Sequence, residues 1–308
     1  MMNRGCFTHL GMLEVALLAG LFLWTVPRSS ALQLGPLDGL SLMPLVTVGL
    51  GTLTGGVEVC PAGGRFLTAS GNGLQLWTMQ GDLISTPIVG TSVSAVWSPD
   101  GVSIGASLAN GSYWILSGSG KILQRAEGIP SGAVQWLGDD PVVTSLEGSK
   151  FRIWGLRNLA LLGEIQLTGN IWGSALSHGS GLIAVWYGQD PYIYIYDYAN
   201  GSLVQKIDAG GILPNACWSF DDTRLAYSPQ QTVGGVLRVW DVARQTKVAE
   251  RLLPLYGFAL AWSPDGSLLA VSSLDWVRIY DGATLDPLLS LGPMEAEEVF
   301  LSWFPDGS

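Results

Sequence analysis

The stretch Trp262-Ser263-Pro264-Asp265-Gly266, flanked by residues 258–261 and 267–291, decides how this chain folds. Residues 258–262 alternate as a strand does and run into a turn. Pro264 presets φ there and Gly266 permits a positive φ, so the chain doubles back into a second strand at 268–273. Asp275 marks the next turn, residues 277–280 form a third strand, and Asp281-Gly282-Ala283-Thr284 turns into a fourth strand around 286–291. Four antiparallel strands thus fit into about 40 residues.

Working outward, the same unit recurs along the chain. Trp97-Ser98-Pro99-Asp100-Gly101 is a second copy, and Trp218-Ser219-Phe220-Asp221-Asp222 and Trp303-Phe304-Pro305-Asp306-Gly307 are close variants. Weaker copies start at Val59, Trp136 and Leu176. The anchors at 59, 97, 136, 176, 218, 262 and 303 are separated by 38, 39, 40, 42, 44 and 41 residues. A second series lies 18 to 22 residues after each of the first six anchors: Trp77, Leu116, Trp154, Tyr196, Trp240 and Tyr280. Two linked series at this period are the mark of a repeat architecture. One four-stranded unit cannot bury both faces of its sheet, but units packed radially bury one another, which gives an all-β propeller of four-stranded blades. The anchor aromatics Trp77, Trp97, Trp136, Trp154, Tyr196, Trp218, Trp240, Trp262, Tyr280 and Trp303 are therefore expected between blades, each burying about 200 Å2.

The aromatic-Ser-Pro-Asp-Gly turn, the period and second anchors such as Trp240-Asp241 and Tyr280-Asp281 resemble WD-repeat proteins over residues 56–308. The resemblance implies a rigid protein-interaction scaffold. One departure matters: the Gly-His dipeptide of that family is missing from every unit, so its Asp-His-Ser-Trp network cannot form in the usual version. The c-to-d turns are also similar to those of bacterial propellers with quinoprotein-like or TolB-like repeats, and, taken with the amino-terminal leader at residues 1–31, the resemblance is to a bacterial-type, extracytoplasmic member. Six units are complete and the seventh stops after its first turn. A seven-bladed ring truncated at the C-terminus is expected, with residues 42–48 as a closing outer strand; a six-bladed ring is the alternative.

Three segments follow. Residues 1–31 read as a secretory signal peptide: Arg4, an apolar run at 15–26, and Ser29-Ser30-Ala31 before a cleavage point. An uncleaved signal anchor is the alternative, and it is the one route to a membrane partner. Residues 32–55 form an N-terminal segment, and 56–308 the propeller.

The 308 residues are 48% apolar and 13% charged, with a formal net charge of −10, and a mean hydropathy of +0.33. Such a chain is not disordered. Its 15 Lys and Arg against 25 Asp and Glu leave no cationic footprint for nucleic acid. Catalytic chemistry is sparse: beyond His9 in the leader there is only His178, in the a-to-b turn slot and expected as an exposed turn residue. Asp139-Asp140 and Asp221-Asp222 fall in the same turn, and Asn110-Gly111 and Asn200-Gly201 read as hairpin turns. Cys60 and Cys217 are expected as small buried hydrophobes. No phosphate loop, C-x-x-C or H-E-x-x-H occurs, so no cofactor, metal or enzymatic activity is expected.

What remains is surface recognition by loops and aromatics at the blade ends. Trp172 and Tyr256, just before strand a of their units, and Trp186, Tyr187 and Trp276, flanking the b-to-c turn, are the candidate binding residues. The insert at 228–235 is a second candidate. The sequence thus reads as a secreted, non-catalytic propeller that binds protein partners. The rivals are the sensor domain of a larger protein and a propeller enzyme of the hydrolase or quinoprotein kind.

Overall fold

The computed structural model describes residues 53–303 apart from 92, 131, 170, 189, 213–214, 231–233, 256, 258, 274–275 and 292–295, together with backbone strands at 12–18, 21–27 and 44–49. Among the described residues every regular element is a strand.

Six four-stranded sheets follow one another in chain order, each a meander with its strands a, b, c and d side by side. Blade 1 is Leu53–Val59, Arg65–Ser70, Gly73–Thr78 and Leu83–Val89; blade 2 is Val93–Trp97, Ser103–Leu108, Tyr113–Ser117 and Ile122–Ala126. Blade 3 is Gly132–Leu137, Asp140–Glu147, Lys150–Gly155 and Leu161–Gln166; blade 4 is Ile171–Leu176, Leu182–Tyr187, Tyr192–Asp197 and Leu203–Asp208. Blade 5 is Ala216–Trp218, Arg224–Tyr227, Gly235–Asp241 and Thr246–Leu253; blade 6 is Ala259–Trp262, Leu268–Ser272, Val277–Asp281 and Pro287–Leu291. Blade 6 therefore matches its sequence reading to within two residues at each boundary.

The a strands are the inner ones, since neighbouring a strands touch each other. The strand Ala296–Trp303 lies against strand a of blade 6 on one side and strand a of blade 1 on the other, so the seventh anchor takes its place in the ring. This strand begins a further four-stranded sheet, in the order 296–303, 21–27, 12–18, 44–49. The outer place falls to Pro44–Gly49, close to the expected closing strand. The two middle places are taken by Met12–Leu18 and Leu21–Pro27, the run that reads as an export signal.

The core lies between blades. Ile104, Leu116 and Trp97 pack on blade 1, Trp186 and Ile193 on blade 5, and Leu237 and Val239 on blade 6. The first anchor series adds a repeated bond. The indole Nε1 of Trp97, Trp136, Trp218 and Trp303 donates to the carbonyl one residue before the anchor of the preceding blade: Glu58 at 3.3 Å, Val96 at 3.3 Å, Ala175 at 2.8 Å and Ala261 at 2.9 Å. A single residue type thus supplies both apolar area and inter-blade register.

The second series keeps part of the network whose histidine is missing. Trp77 Nε1 donates to Thr68 Oγ1 at 2.9 Å and Trp154 Nε1 to Ser145 Oγ at 3.0 Å, whereas Trp240 Nε1 reaches Gln205 of blade 4 at 3.0 Å.

The a-to-b turns are held by their own side chains. Ser98, Ser219 and Ser263 donate their hydroxyls to Asp100, Asp221 and Asp265 at 2.5, 2.6 and 2.6 Å. The Ser263 hydroxyl, helped by Ser267, pulls the Asp265 carboxyl down to about 2. Gly101 and Gly266 occupy the left-handed slot of this turn at φ +68°. In blade 5 that slot holds Asp222, at φ 56°.

Candidate functional site

Blades 1 and 4 are irregular at the end that carries the b-to-c and d-to-a connections, each with a shift in its a–b pairing, and in blade 4 the extra residue is an aromatic. There strands a and b pair Ile171 with Tyr187 and then Gly173 with Trp186, so Trp172 is an extra residue in strand a. Such a bulge re-aims the side chain at the extra position. Trp172 is 63% exposed, and it alone among the described tryptophans is more than half exposed. Its indole lies along Gly188, where a Cβ would come within 2.4 Å of Nε1, so only glycine lets the b-to-c turn approach the ring.

The other four candidates separate. Trp186 and Tyr187 are 4% and 5% exposed, which corrects their assignment to a binding surface. Trp186 packs between blades 4 and 5, with its ring over Gly173 at a position a Cβ would fill. Tyr187 belongs to the core between blades 3 and 4. Trp276 is half-buried, with the Arg278 guanidinium 5.2 Å from its ring centroid. Tyr256 lies outside the described residues. The insert at 228–235 is described only at its ends: Ser228 Oγ accepts from Gly257 N at 2.8 Å, and Gln230 bridges to Ile212 and to Gly235.

Strand c of blade 4 adds a tyrosine row that the sequence reading did not single out. Tyr192, Tyr194 and Tyr196 alternate with the buried Ile193 and Ile195. Tyr194 donates its hydroxyl to Asp190 at 2.8 Å, and Lys206 sits 3.7 Å above the Tyr192 ring and 5.3 Å from that of Tyr194. Burial, aided by Asp190, pushes the Tyr194 phenol up to about 12. The row was legible as Tyr-Ile-Tyr-Ile-Tyr, a strand with one aromatic face.

At the opposite end of the blades the acids serve the turns. Asp222 accepts from His178 N at 2.7 Å, Gly179 N at 2.7 Å and Ser180 N at 2.8 Å, fastening the blade 4 turn to blade 5. His178 is indeed in the turn, but it stacks on Phe220 at 4.7 Å and its Nδ1 lies 3.2 Å from Asp222. Burial opposes ionisation of Asp222, yet the three N–H donors and His178 outweigh it and hold the carboxyl below the ordinary aspartate range. The signal for this contact was an aspartate in the glycine slot of the repeat. Cys60 is buried; Cys217 is half-buried, and burial raises its thiol well above the ordinary range. Among the described residues no three His, Cys, Asp or Glu side chains group as metal ligands.

Comparison with known proteins agrees with this architecture. A solved structure of the mitotic checkpoint complex contains a chain that superposes with a TM-score of 0.65 at 17% identity, over 83% of this chain and 82% of that one. The C-terminal WD40 domain of Sif2 superposes with a TM-score of 0.62 at 18% identity, over 92% and 89%. The fold is that of WD40 propellers. In sequence, the small ribosomal subunit protein RACK1y of Oryza sativa subsp. japonica is 25% identical over 133 residues, 40% of this chain and 38% of that relative's length. No family model matches.

Proposed function

We propose that this chain is a non-catalytic interaction scaffold that presents the b-to-c and d-to-a end of blade 4 to a protein partner outside the cytoplasm. The observation that carries the reading is Trp172: a bulge turns an indole outward from a rigid ring and leaves it 63% exposed. Tryptophan is over-represented among the residues that dominate binding energy. Asp100, Asp222, Asp265 and His178 are engaged in turns and an inter-blade cap, which favours a structural role for these groups over proton transfer. The propeller architecture it shares with a checkpoint-complex chain, and its partial likeness to a ribosomal-subunit protein, both members of assemblies, point the same way.

The test is a partner-capture experiment with Trp172→Ala. Loss of capture at an unchanged melting temperature supports the scaffold, and undiminished capture refutes the assigned face.

Location outside the cytoplasm rests on the amino-terminal sequence. Export with cleavage after Ala31 and pairing of residues 12–27 beside residues 296–303 are exclusive uses of one segment. N-terminal sequencing of the protein from its native source separates them: a start at Leu32 supports export, and a retained N-terminus supports the pairing.

A further inference from the structure

One tetrapeptide occurs twice in this chain and is held in two ways. Ala109-Asn110-Gly111-Ser112 makes the b-to-c turn of blade 2, and Ala199-Asn200-Gly201-Ser202 lies in the c-to-d turn of blade 4. Both asparagines are exposed, and each side chain bends back along its own backbone, with Oδ1 accepting from the serine N–H at 3.0 Å for Asn110 and 2.8 Å for Asn200. The glycine nitrogens are also held alike: Gly111 N donates to Leu108 O and Gly201 N to Asp197 O, each at 2.9 Å.

The side-chain amides differ. Ser112 is 5% exposed and its hydroxyl donates to Asn110 Oδ1 at 2.7 Å, so two donors converge on that oxygen. Ser202 is exposed, and among the described residues its N–H is the one donor to Asn200 Oδ1. Asn200 Nδ2 instead donates to the Asp197 carboxylate at 3.0 Å, which places a negative charge beside the amide.

We propose that Asn110 is a site of self-modification, converting to a succinimide and then to isoaspartate or aspartate, and that the Ser112 hydroxyl promotes the step. Gly111 N leaves its bond to Leu108 O and attacks Asn110 Cγ. The N–Cγ bond forms, the Cγ–Nδ2 bond breaks, and ammonia departs with the proton from Gly111 N. Water then adds to one of the two ring carbonyls and opens the ring, so each conversion consumes one water and releases one ammonia. Glycine suits the attack because no side chain crowds its nitrogen. Negative charge develops on Oδ1 as the bond forms, and donors already aimed at that atom stabilise it. At Asn200 the same charge would grow next to Asp197, which opposes it. The third Asn-Gly pair, Asn72-Gly73, is followed by Leu74 and has no such serine. Each conversion at Asn110 adds a negative charge to the end of the propeller that carries Trp172.

The test is peptide mapping by mass spectrometry of the full chain aged in mildly alkaline heavy-oxygen water, which marks every converted site. In the folded protein Asn110 is expected to convert about three- to tenfold faster than Asn200, the worth of one added hydrogen bond. In denaturant, where the two identical tetrapeptides keep only their sequence, the rates are expected to be equal. This comparison needs no variant. Ser112→Ala, shown to be folded by its circular dichroism, is expected to slow Asn110 by the same factor and to leave Asn200 unchanged, whereas Ser112→Thr, which keeps the hydroxyl, retains most of the wild-type rate. Equal rates in the folded chain, or faster conversion at Asn200, overturn the proposal. So does a difference that survives in denaturant, since it would belong to the flanking sequence, and so does an Asn110 rate in folded Ser112→Ala that is no lower than in wild type.

Discussion

The junction between blades 1 and 2 and the junction between blades 5 and 6 are built to one plan and differ at one position. In each, the first residue of strand b is an arginine that crosses to the next blade and stacks on its first-series tryptophan. Arg65 covers Trp97 and donates to Gly118 O at 2.8 Å. Arg224 covers Trp262 and donates to Gly282 O at 2.9 Å and Gly266 O at 2.8 Å. The residue before the preceding anchor is Glu58 in the first case and Cys217 in the second. Glu58 supplies two acceptors, its carbonyl for the Trp97 indole at 3.3 Å and its carboxyl for Trp97 N at 2.7 Å. At Cys217 there is no such carboxyl, and the Trp262 indole N–H is buried without a partner. The comparison teaches that the repeat specifies the packing of a junction, while its polar fastening is local and interchangeable: more indole bonding at one, more arginine bonding at the other.

The largest effect expected is truncation of the stacked indoles. Trp97→Ala and Trp262→Ala each empty a core aromatic site and are expected to cost about 3–5 kcal/mol. Trp97→Ala is expected to be the worse by about 1 kcal/mol, because it also removes the donor from Glu58 O. Denaturant unfolding of the two variants checks this; a Trp262→Ala cost below about 1 kcal/mol would break the anchor assignment itself.

Removal of the arginines comes next, with the order reversed. Arg224→Met strips two backbone carbonyls of their donor, and Arg65→Met strips one. We expect about 2–3 kcal/mol for the first and about half that for the second, since bonds to charged groups are worth about 1.5–3 kcal/mol and both side chains keep some contact with water. Arg224→Lys does not restore the loss, because one ammonium cannot reproduce the forked geometry. Equal costs for the two Met variants would mean that stacking, not carbonyl bonding, holds these junctions.

Much of this plan was legible in the sequence, and the limits of legibility are physical. The turn residues Ser263, Pro264, Asp265 and Gly266 act within four positions, so local chemistry fixes them, and the anchor series repeats the result along the ring. The candidate face was less legible because it depends on pairing across strands. Trp186 and Tyr187 look like loop aromatics in the sequence, yet the pairing of Gly173 with Trp186 turns one over a glycine and leaves the other in the blade 3–4 core. The same bulge is what exposes Trp172. Arg65 and Arg224 were passed over because their partners lie 53, 42 and 58 residues away, in turns that only the closed ring brings near. The apolar run at 15–26 has a composition that suits an export signal and a buried strand equally, so hydropathy alone does not choose between them.

The third prediction turns on the Glu58 carboxyl. Burial pushes it up to about 8 from 4.5, against the opposing effect of the Trp97 N–H bond. A raised carboxyl means that the folded state holds a proton which the unfolded chain has lost, throughout the interval between those values. Stability contributed by this group is therefore full below about pH 4.5, declines as pH rises towards 8, and is flat above. Glu58→Gln keeps the acceptor for Trp97 N without the ionisation. Its melting temperature is expected to match wild type near pH 5 and to exceed it near pH 8. A variant whose difference from wild type does not change with pH would show that Glu58 is ionised in the fold and that its bond to Trp97 N is a charged one.

The smallest effect belongs to the matching position at the other junction, and its smallness is informative. Cys217 makes no counterpart to the Glu58 bond, and burial raises its thiol, so the side chain stays neutral across the interval in which Glu58 titrates. Cys217→Ala is then expected to cost no more than about 1–1.5 kcal/mol, the scale of removing one small buried group, with the same cost at pH 5 and pH 8. Reaction chemistry gives a second measure. The thiolate is the nucleophile, so a half-buried thiol held protonated should alkylate with iodoacetamide at pH 8 more slowly than free cysteine, despite its contact with solvent. Fast alkylation would mean that the inner edge of blade 5 is as wet as bulk water. In that event the unpartnered indole N–H of Trp262 would have water for its acceptor, and the contrast between the two junctions would reduce to a difference in hydration.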